Sequence, residues 1–189
     1  LCARTLLLSQ GEIAFAGDTA SALDRYIASG APTGANVFEN AEERPHAPAA
    51  IVRVETRDAD GAVVDQFPWA STVRVRVALR RNQILPNTVL AVGVENHLSV
   101  RVCSWYARLA EHLGAEDGLQ CLEIAFPARV LVPGVYSFVV DVFEYGAIHH
   151  RVANVCPISI VDTSEELSAI GPVDFGTVIV PGEWTRHRI

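Results

Sequence analysis

From residue 51 onward, apolar and polar residues alternate in short runs broken by turn formers. Val73, Val75, Val77 and Leu79 alternate with Arg74, Arg76 and Arg80, the two-residue period of a strand with one face in a core and one in water. Val52 and Val54 alternate with Arg53 and Glu55, and Asp58-Ala59-Asp60-Gly61 follows as a turn. Further strand-like runs lie at 89–96, 100–105, 121–126, 136–145, 152–161 and 175–180. One stretch competes as a helix: in 105–113, Tyr106, Leu109, Ala110 and Leu113 would share a face. About eight strands joined by turns over roughly 140 residues predict an all-β fold, an antiparallel immunoglobulin-like or jelly-roll-like β-sandwich. In Leu131-Val132-Pro133-Gly134-Val135-Tyr136 a Pro-Gly turn delivers a tyrosine into a long apolar strand. Such a corner predicts a buried ring whose hydroxyl satisfies a nearby backbone group, with an ordinary core tyrosine as the alternative.

Residues 1–30 carry a different pattern: a short strand, a hairpin and a helix. Thr5-Leu6-Leu7-Leu8 and Ile13-Ala14-Phe15-Ala16 flank the turn residues Gln10-Gly11-Glu12. Asp18 then stands where it can cap a helix, with Leu23, Tyr26 and Ile27 on one face and Gly30 and Pro32 at the end. This unit is too small to bury a core of its own. Residues 31–50 lack periodicity and carry Pro45, Pro48 and Glu42-Glu43, the composition of a linker, with an extended stretch near Asn36-Val37-Phe38. The expected organisation is therefore 1–30, a linker over 31–50, and a sandwich over 51–189.

Composition narrows the function. The formal charge is −7 and every basic residue is Arg, a balance that disfavours nucleic acid or an anionic membrane as the main partner. No apolar run approaches the roughly 20 residues of a membrane-spanning helix, and the start Leu1-Cys2-Ala3-Arg4 is no signal peptide. An opening Leu suggests a piece of a longer protein. Cys2, Cys103, Cys121 and Cys156 are scattered and read as reduced, mostly buried thiols of a cytoplasmic protein. A phosphate-cradling Gly-x-x-x-x-Gly-Lys loop is impossible without Lys, and the Gly-x-Ser-x-Gly and His-Glu-x-x-His motifs are missing. His149 and His150 would point to opposite faces of a strand, as would Asp141 and Glu144, so neither pair suits metal binding or acid–base work. A non-catalytic chain without metal or cofactor is expected.

The N-terminal stretch Leu1-Cys2-Ala3-Arg4-Thr5-Leu6-Leu7-Leu8-Ser9-Gln10-Gly11-Glu12-Ile13-Ala14-Phe15-Ala16-Gly17-Asp18, followed by Leu23 and Tyr26, resembles the closing segment of an ABC-transporter ATPase domain. The sandwich resembles the C-terminal domain of Wzt, the ATPase subunit of O-antigen exporters. It does so through the turn at 58–61, the Leu131–Tyr136 corner and the late Gly171-Pro172-Val173 to Trp184 segment. One departure is Arg44-Pro45-His46, where many members carry an Arg-Trp-Gly-like start to the first strand. The resemblance implies a lectin-like domain that binds a completed undecaprenyl-linked polysaccharide at the cytoplasmic side of the inner membrane and couples glycan termination to export. It further implies a homodimer joined by strand exchange, for which 175–180 is the candidate segment, and a transmembrane permease reached through the ATPase domain. ATP and Mg would belong to that missing upstream domain. The rival reading is a regulatory or dimerisation domain that binds no sugar.

If a glycan lies on a sheet face, the alternation in 136–145 assigns the residues. With Tyr136, Phe138, Val140 and Val142 inward, Ser137, Val139, Asp141, Phe143 and Tyr145 point outward. An aromatic beside a carboxylate on an exposed face suits sugar C–H faces and hydroxyls. Asp141, Phe143 and Tyr145 are therefore the first candidates, with Glu95, His97, Arg101 and Trp105 on neighbouring strands. Trp69 and Trp184 read as structural.

Overall fold

The computed structural model describes residues 4–9, 12–19, 21–22, 25, 36–83, 86–114, 116, 118–163, 167, 169, 174, 176–180 and 185. Strands β1 (Thr5–Ser9) and β2 (Glu12–Gly17) form an antiparallel hairpin. Residue 19 then opens a helical stretch in which Asp18 Oδ1 accepts the Ser21 N–H at 2.9 Å, the cap expected of that residue. Leu23, Tyr26, Ile27, Gly30 and Pro32 lie outside the described residues.

The rest is a sandwich of two sheets. One runs β3 (Val37–Glu39), β4 (Ala49–Arg57), β6 (Val73–Arg81), β9 (Gly118–Phe126). The other runs β5 (Gln66–Pro68), β11 (Ala147–Val161), β10 (Gly134–Glu144), β7 (Val89–Asn96), β8 (Arg101–Arg108). All pairings are antiparallel except β5 on β11, so the fold is the expected all-β, immunoglobulin-like sandwich. The stretch expected to extend at 36–38 is strand β3, so sheet pairing begins inside 31–50.

Alternation explains the core. Val73, Val75, Val77 and Leu79 from β6 meet Leu90, Val92 and Val94 from β7 and Phe138, Val140 and Val142 from β10, all almost fully buried. Tyr136 is buried at the corner and its hydroxyl donates to the Val132 carbonyl at 2.6 Å. Burial pushes that hydroxyl's pKa up to about 12, so it stays a donor. At the 58–61 turn, Asp58 Oδ1 accepts the N–H groups of Asp60 and Ala62, and Gly61 takes φ +84°.

One expectation changes. The helical face proposed for 105–113 gives way to strand: β8 continues to Arg108, and only α1 (Leu109–His112) turns. His149 and His150 both lie on β11, as their strand reading required, and His150 is buried, its Nδ1 accepting the Ile51 N–H at 2.9 Å. Residues 177–179 are bonded within the chain, through Val132 N–H to the Thr177 carbonyl and Ile179 N–H to the Val130 carbonyl; Phe175 lies outside the described residues. Cys156 is buried, Cys103 half-buried and Cys121 exposed, all as free thiols.

Candidate functional site

The outer face of the five-stranded sheet gathers most of the polar candidates. β10 is a central strand, and its register on β7 and β11 sets one row across the sheet: Tyr106 on β8, Ala91 on β7, Asp141 on β10, Arg151 on β11. The next row holds Ser104, Gly93 and Val139, and the one beyond it Arg101, Glu95 and Ser137. Adjacent strands lie about 4.8 Å apart, so the Tyr106 and Asp141 backbones stand about 10 Å from each other with only Ala91 between. The floor is low because Ala91 and Gly93 carry almost no side chain. Its rim is high because Tyr106, with 80% of its surface exposed, stands at one side.

Ion pairs line this floor. Arg151 closes on Asp141 in a two-pronged contact, Nε to Oδ1 at 2.7 Å and Nη2 to Oδ2 at 3.0 Å. The Asp141 hydrogen bonds, the Asp141 charge and, more weakly, the Glu95 charge raise the Arg151 pKa and hold it protonated. Arg101 donates to Glu95 Oε1 at 3.2 Å through Nη2 and to Ser104 Oγ at 3.1 Å through Nη1. Its guanidinium rests over Gly93, in space that any larger residue's Cβ would enter.

The sequence-derived candidates divide accordingly. Asp141, Glu95 and Arg101 are brought together on this face, and Phe143 joins them half-buried one row past Asp141, between Val89 and Ile148. Asp141 points outward but is not open: only 7% of it is exposed, because Arg151 covers it. Trp105 lies apart from this group. It faces inward, half-buried, its ring edge-on to Phe126 with centroids 4.2 Å apart, since its partner across the β7–β8 pair is the core residue Val92. Tyr145 and His97 are exposed but sit in the turns at opposite ends of the sheet, beyond Phe143 and beyond Asn96. Trp69 is buried in the core, as expected of a structural residue, and Trp184 lies outside the described residues. Sequence reasoning passed over Tyr106, Ser104 and Arg151. The signal for Tyr106 was its parity with Ser104 and Arg108, opposite to Cys103, Trp105 and Ala107, but the helical reading of 105–113 concealed it.

A second feature lies at the sandwich's open side, where edge strands β8 and β9 face each other across an apolar cleft of about 270 Å3. Val75, Val92, Trp105, Leu122 and Ile124 line it. Among the described residues no cluster of His, Cys, Asp and Glu could hold a metal, and no helix is long and apolar enough to cross a membrane.

With this geometry, the chain has the fold of a solved Wzt C-terminal domain. That structure aligns at a TM-score of 0.52 and 10% identity, covering 80% of this chain and 87% of its own. The Wzt-like character is thus a matter of fold. Two further structures align more loosely: a CARDB domain from Pyrococcus furiosus solved with di-metal ions (TM-score 0.34, 16% identity, 57% of this chain and 85% of that one), and an immunoglobulin-like protein from Pseudomonas aeruginosa (TM-score 0.31, 11% identity, 68% and 100%). No protein-family model matches the sequence. No curated protein matches it either.

Proposed function

We propose that the chain is a non-catalytic glycan-recognition domain, and that the outer face of the five-stranded sheet holds the sugar chain. The observation carrying this reading is the row Tyr106–Ala91–Asp141–Arg151. It combines an exposed ring for stacking, a floor without bulk, and fixed acceptors and donors for hydroxyls, the mixture a shallow, wet carbohydrate site needs. The Wzt-like fold supports placing this domain in the ATPase subunit of a polysaccharide ABC exporter. There it would read a lipid-linked O-antigen-type glycan at the inner face of the inner membrane, as a homodimer, with ATP and Mg handled by a separate domain. Titrating the purified chain with the source organism's polysaccharide by calorimetry tests the reading. Binding that Tyr106→Ala weakens by about tenfold supports it; binding indifferent to Tyr106 moves the sugar elsewhere.

The rival, a dimerisation domain that binds no sugar, draws on the outer edge of β9, which no other strand among the described residues pairs. That strand pairs with β6 over nine residues without a register shift, contains no Pro, Lys or Arg, and exposes Leu119 and Cys121. A strand edge beside an apolar cleft is a template for another strand. Under this reading, Leu119→Lys should turn a dimer into a monomer in sedimentation, while no glycan binds the parent.

A further inference from the structure

The proposed glycan face carries six formal charges, and all six fall into three pairs. Arg151 uses Nε and Nη2 on the two oxygens of Asp141, and Arg101 uses Nη2 on Glu95 and Nη1 on Ser104. Beside Tyr106 along β8, Arg108 lies 3.6 Å from Glu111. The face therefore offers polar edges but no net charge.

That balance has consequences for which glycan can lie there. A sugar carboxylate or phosphate is best held by an arginine fork free to close on it in a two-pronged contact. Here the Arg151 and Arg101 forks serve the protein's own carboxylates, and Arg108 stands against Glu111. Turning Arg151 toward an acidic sugar would strand Asp141, which is 7% exposed, as a nearly buried carboxylate without a partner. At longer range the chain's −7 charge repels a polyanion before contact. An uncharged sugar makes no such demand. Each hydroxyl both donates and accepts, so it can give a hydrogen bond to an Asp141 or Glu95 oxygen and take one from a guanidinium N–H without separating the pair. Arg151 keeps its Nη1 donors for that purpose, and the Tyr106 ring beside them takes the apolar face of the sugar.

We infer that this face selects uncharged polysaccharide chains and rejects those carrying carboxylates or phosphates at the bound residues. The inference rests on the reading of the face as a glycan site.

The test is an array of neutral polysaccharides (mannans, galactans, glucans) and uronate polymers (polygalacturonate, alginate), probed with the purified chain at low and high salt. Binding should fall among the neutral chains and change less than about twofold with salt, because no counterions are released. Glu95→Gln and Asp141→Asn each free one arginine. Either variant should raise uronate binding by about tenfold at low salt, the scale of one charge-assisted hydrogen bond, with the gain erased at high salt. Glu95 lies near the end of β7 with 16% of its side chain exposed against 10% for Asp141, so its variant keeps the test alive if Asp141→Asn lowers the melting temperature. Salt-sensitive uronate binding by the parent chain would overturn the charge argument and leave the glycan reading standing. Neutral binding that neither variant extends to uronates would overturn the ion-pair explanation. A folded chain that binds nothing on the array would overturn both the inference and the glycan reading.

Discussion

The guanidinium of Arg101 lies on Gly93, filling the place where any other residue would carry its Cβ. Gly93 is buried in the middle of β7 and its φ is not positive, so its lack of a side chain serves this contact rather than the backbone. Gly93→Ala should fold, since only the flexible end of Arg101 must move, at a stability cost within about 1 kcal/mol. It should also lift Arg101 away from Glu95 and roughen the floor, weakening glycan binding several-fold. Calorimetry beside a thermal melt reads both quantities. Unchanged affinity would mean that the ligand does not use this floor.

Tyr106 and Trp105 are neighbours in sequence with opposite surroundings, 80% exposed in one case and packed on Phe126 in the other. Tyr106→Ala removes a platform and no core volume. It should cost less than about 1 kcal/mol of stability and about 1–2 kcal/mol of glycan affinity. Trp105→Ala should do the reverse, losing about 2–3 kcal/mol of stability, somewhat below the cost of a fully buried aromatic. Chemical denaturation and binding titrations of the two variants should give mirror-image results. A parallel loss in both would place Trp105 at the sugar after all.

Tyr136→Phe keeps the ring in the core and deletes one hydroxyl. The Val132 carbonyl would lose the donor that reaches it at 2.6 Å. Leaving that acceptor unmet should lower stability by about 1–2 kcal/mol without affecting binding. Urea unfolding of the variant is the check, and a neutral result would make this an ordinary core tyrosine.

His150 ties stability to pH. The ring is 2% exposed. Its Nδ1 accepts from the Ile51 N–H, and its Nε2 lies 3.1 Å from the Asn40 amide. Burial lowers its pKa below the ordinary value; the Arg44 charge lowers it further, against a smaller opposing pull from Glu42. Protonating Nδ1 would set donor against donor at Ile51. The folded chain thus binds fewer protons at this site than the unfolded chain. The stabilisation is complete above about pH 6.5 and is lost as pH falls below that value toward the lowered pKa. Urea midpoints measured from about pH 7.5 down to 5 should decline, and His150→Gln should flatten the curve. A slope that survives the substitution would belong to another group.

Much of the fold was legible in the pattern. A two-residue period reports which side chains share a face without any knowledge of the partner strand, so the inward set Tyr136, Phe138, Val140 and Val142 and the β6 valines emerged correctly. Turn chemistry at 58–61 and at the Pro-Gly corner is equally local, as is the Asp18 cap. The candidate site was legible only in part. Facing outward and being open are different properties, and Val139 and Asp141 are outward yet buried, because β10 is central and its neighbours' side chains lie across it.

Alternation and turn residues, then, determined the sandwich, the core face of its central strands and the corner tyrosine, because those depend on interactions within a few residues along the chain. Tertiary structure alone decided the rest. Cross-strand register brought Tyr106, Ala91, Asp141 and Arg151 into one row from two strand pairs, β7–β8 and β10–β11, that β9 separates in sequence. It turned Trp105 into the sandwich by setting it opposite Val92. It also spent the acidic candidates on arginines, one of them 10 residues further along the chain, since hydrogen bonding between strands joins positions that no local period can relate.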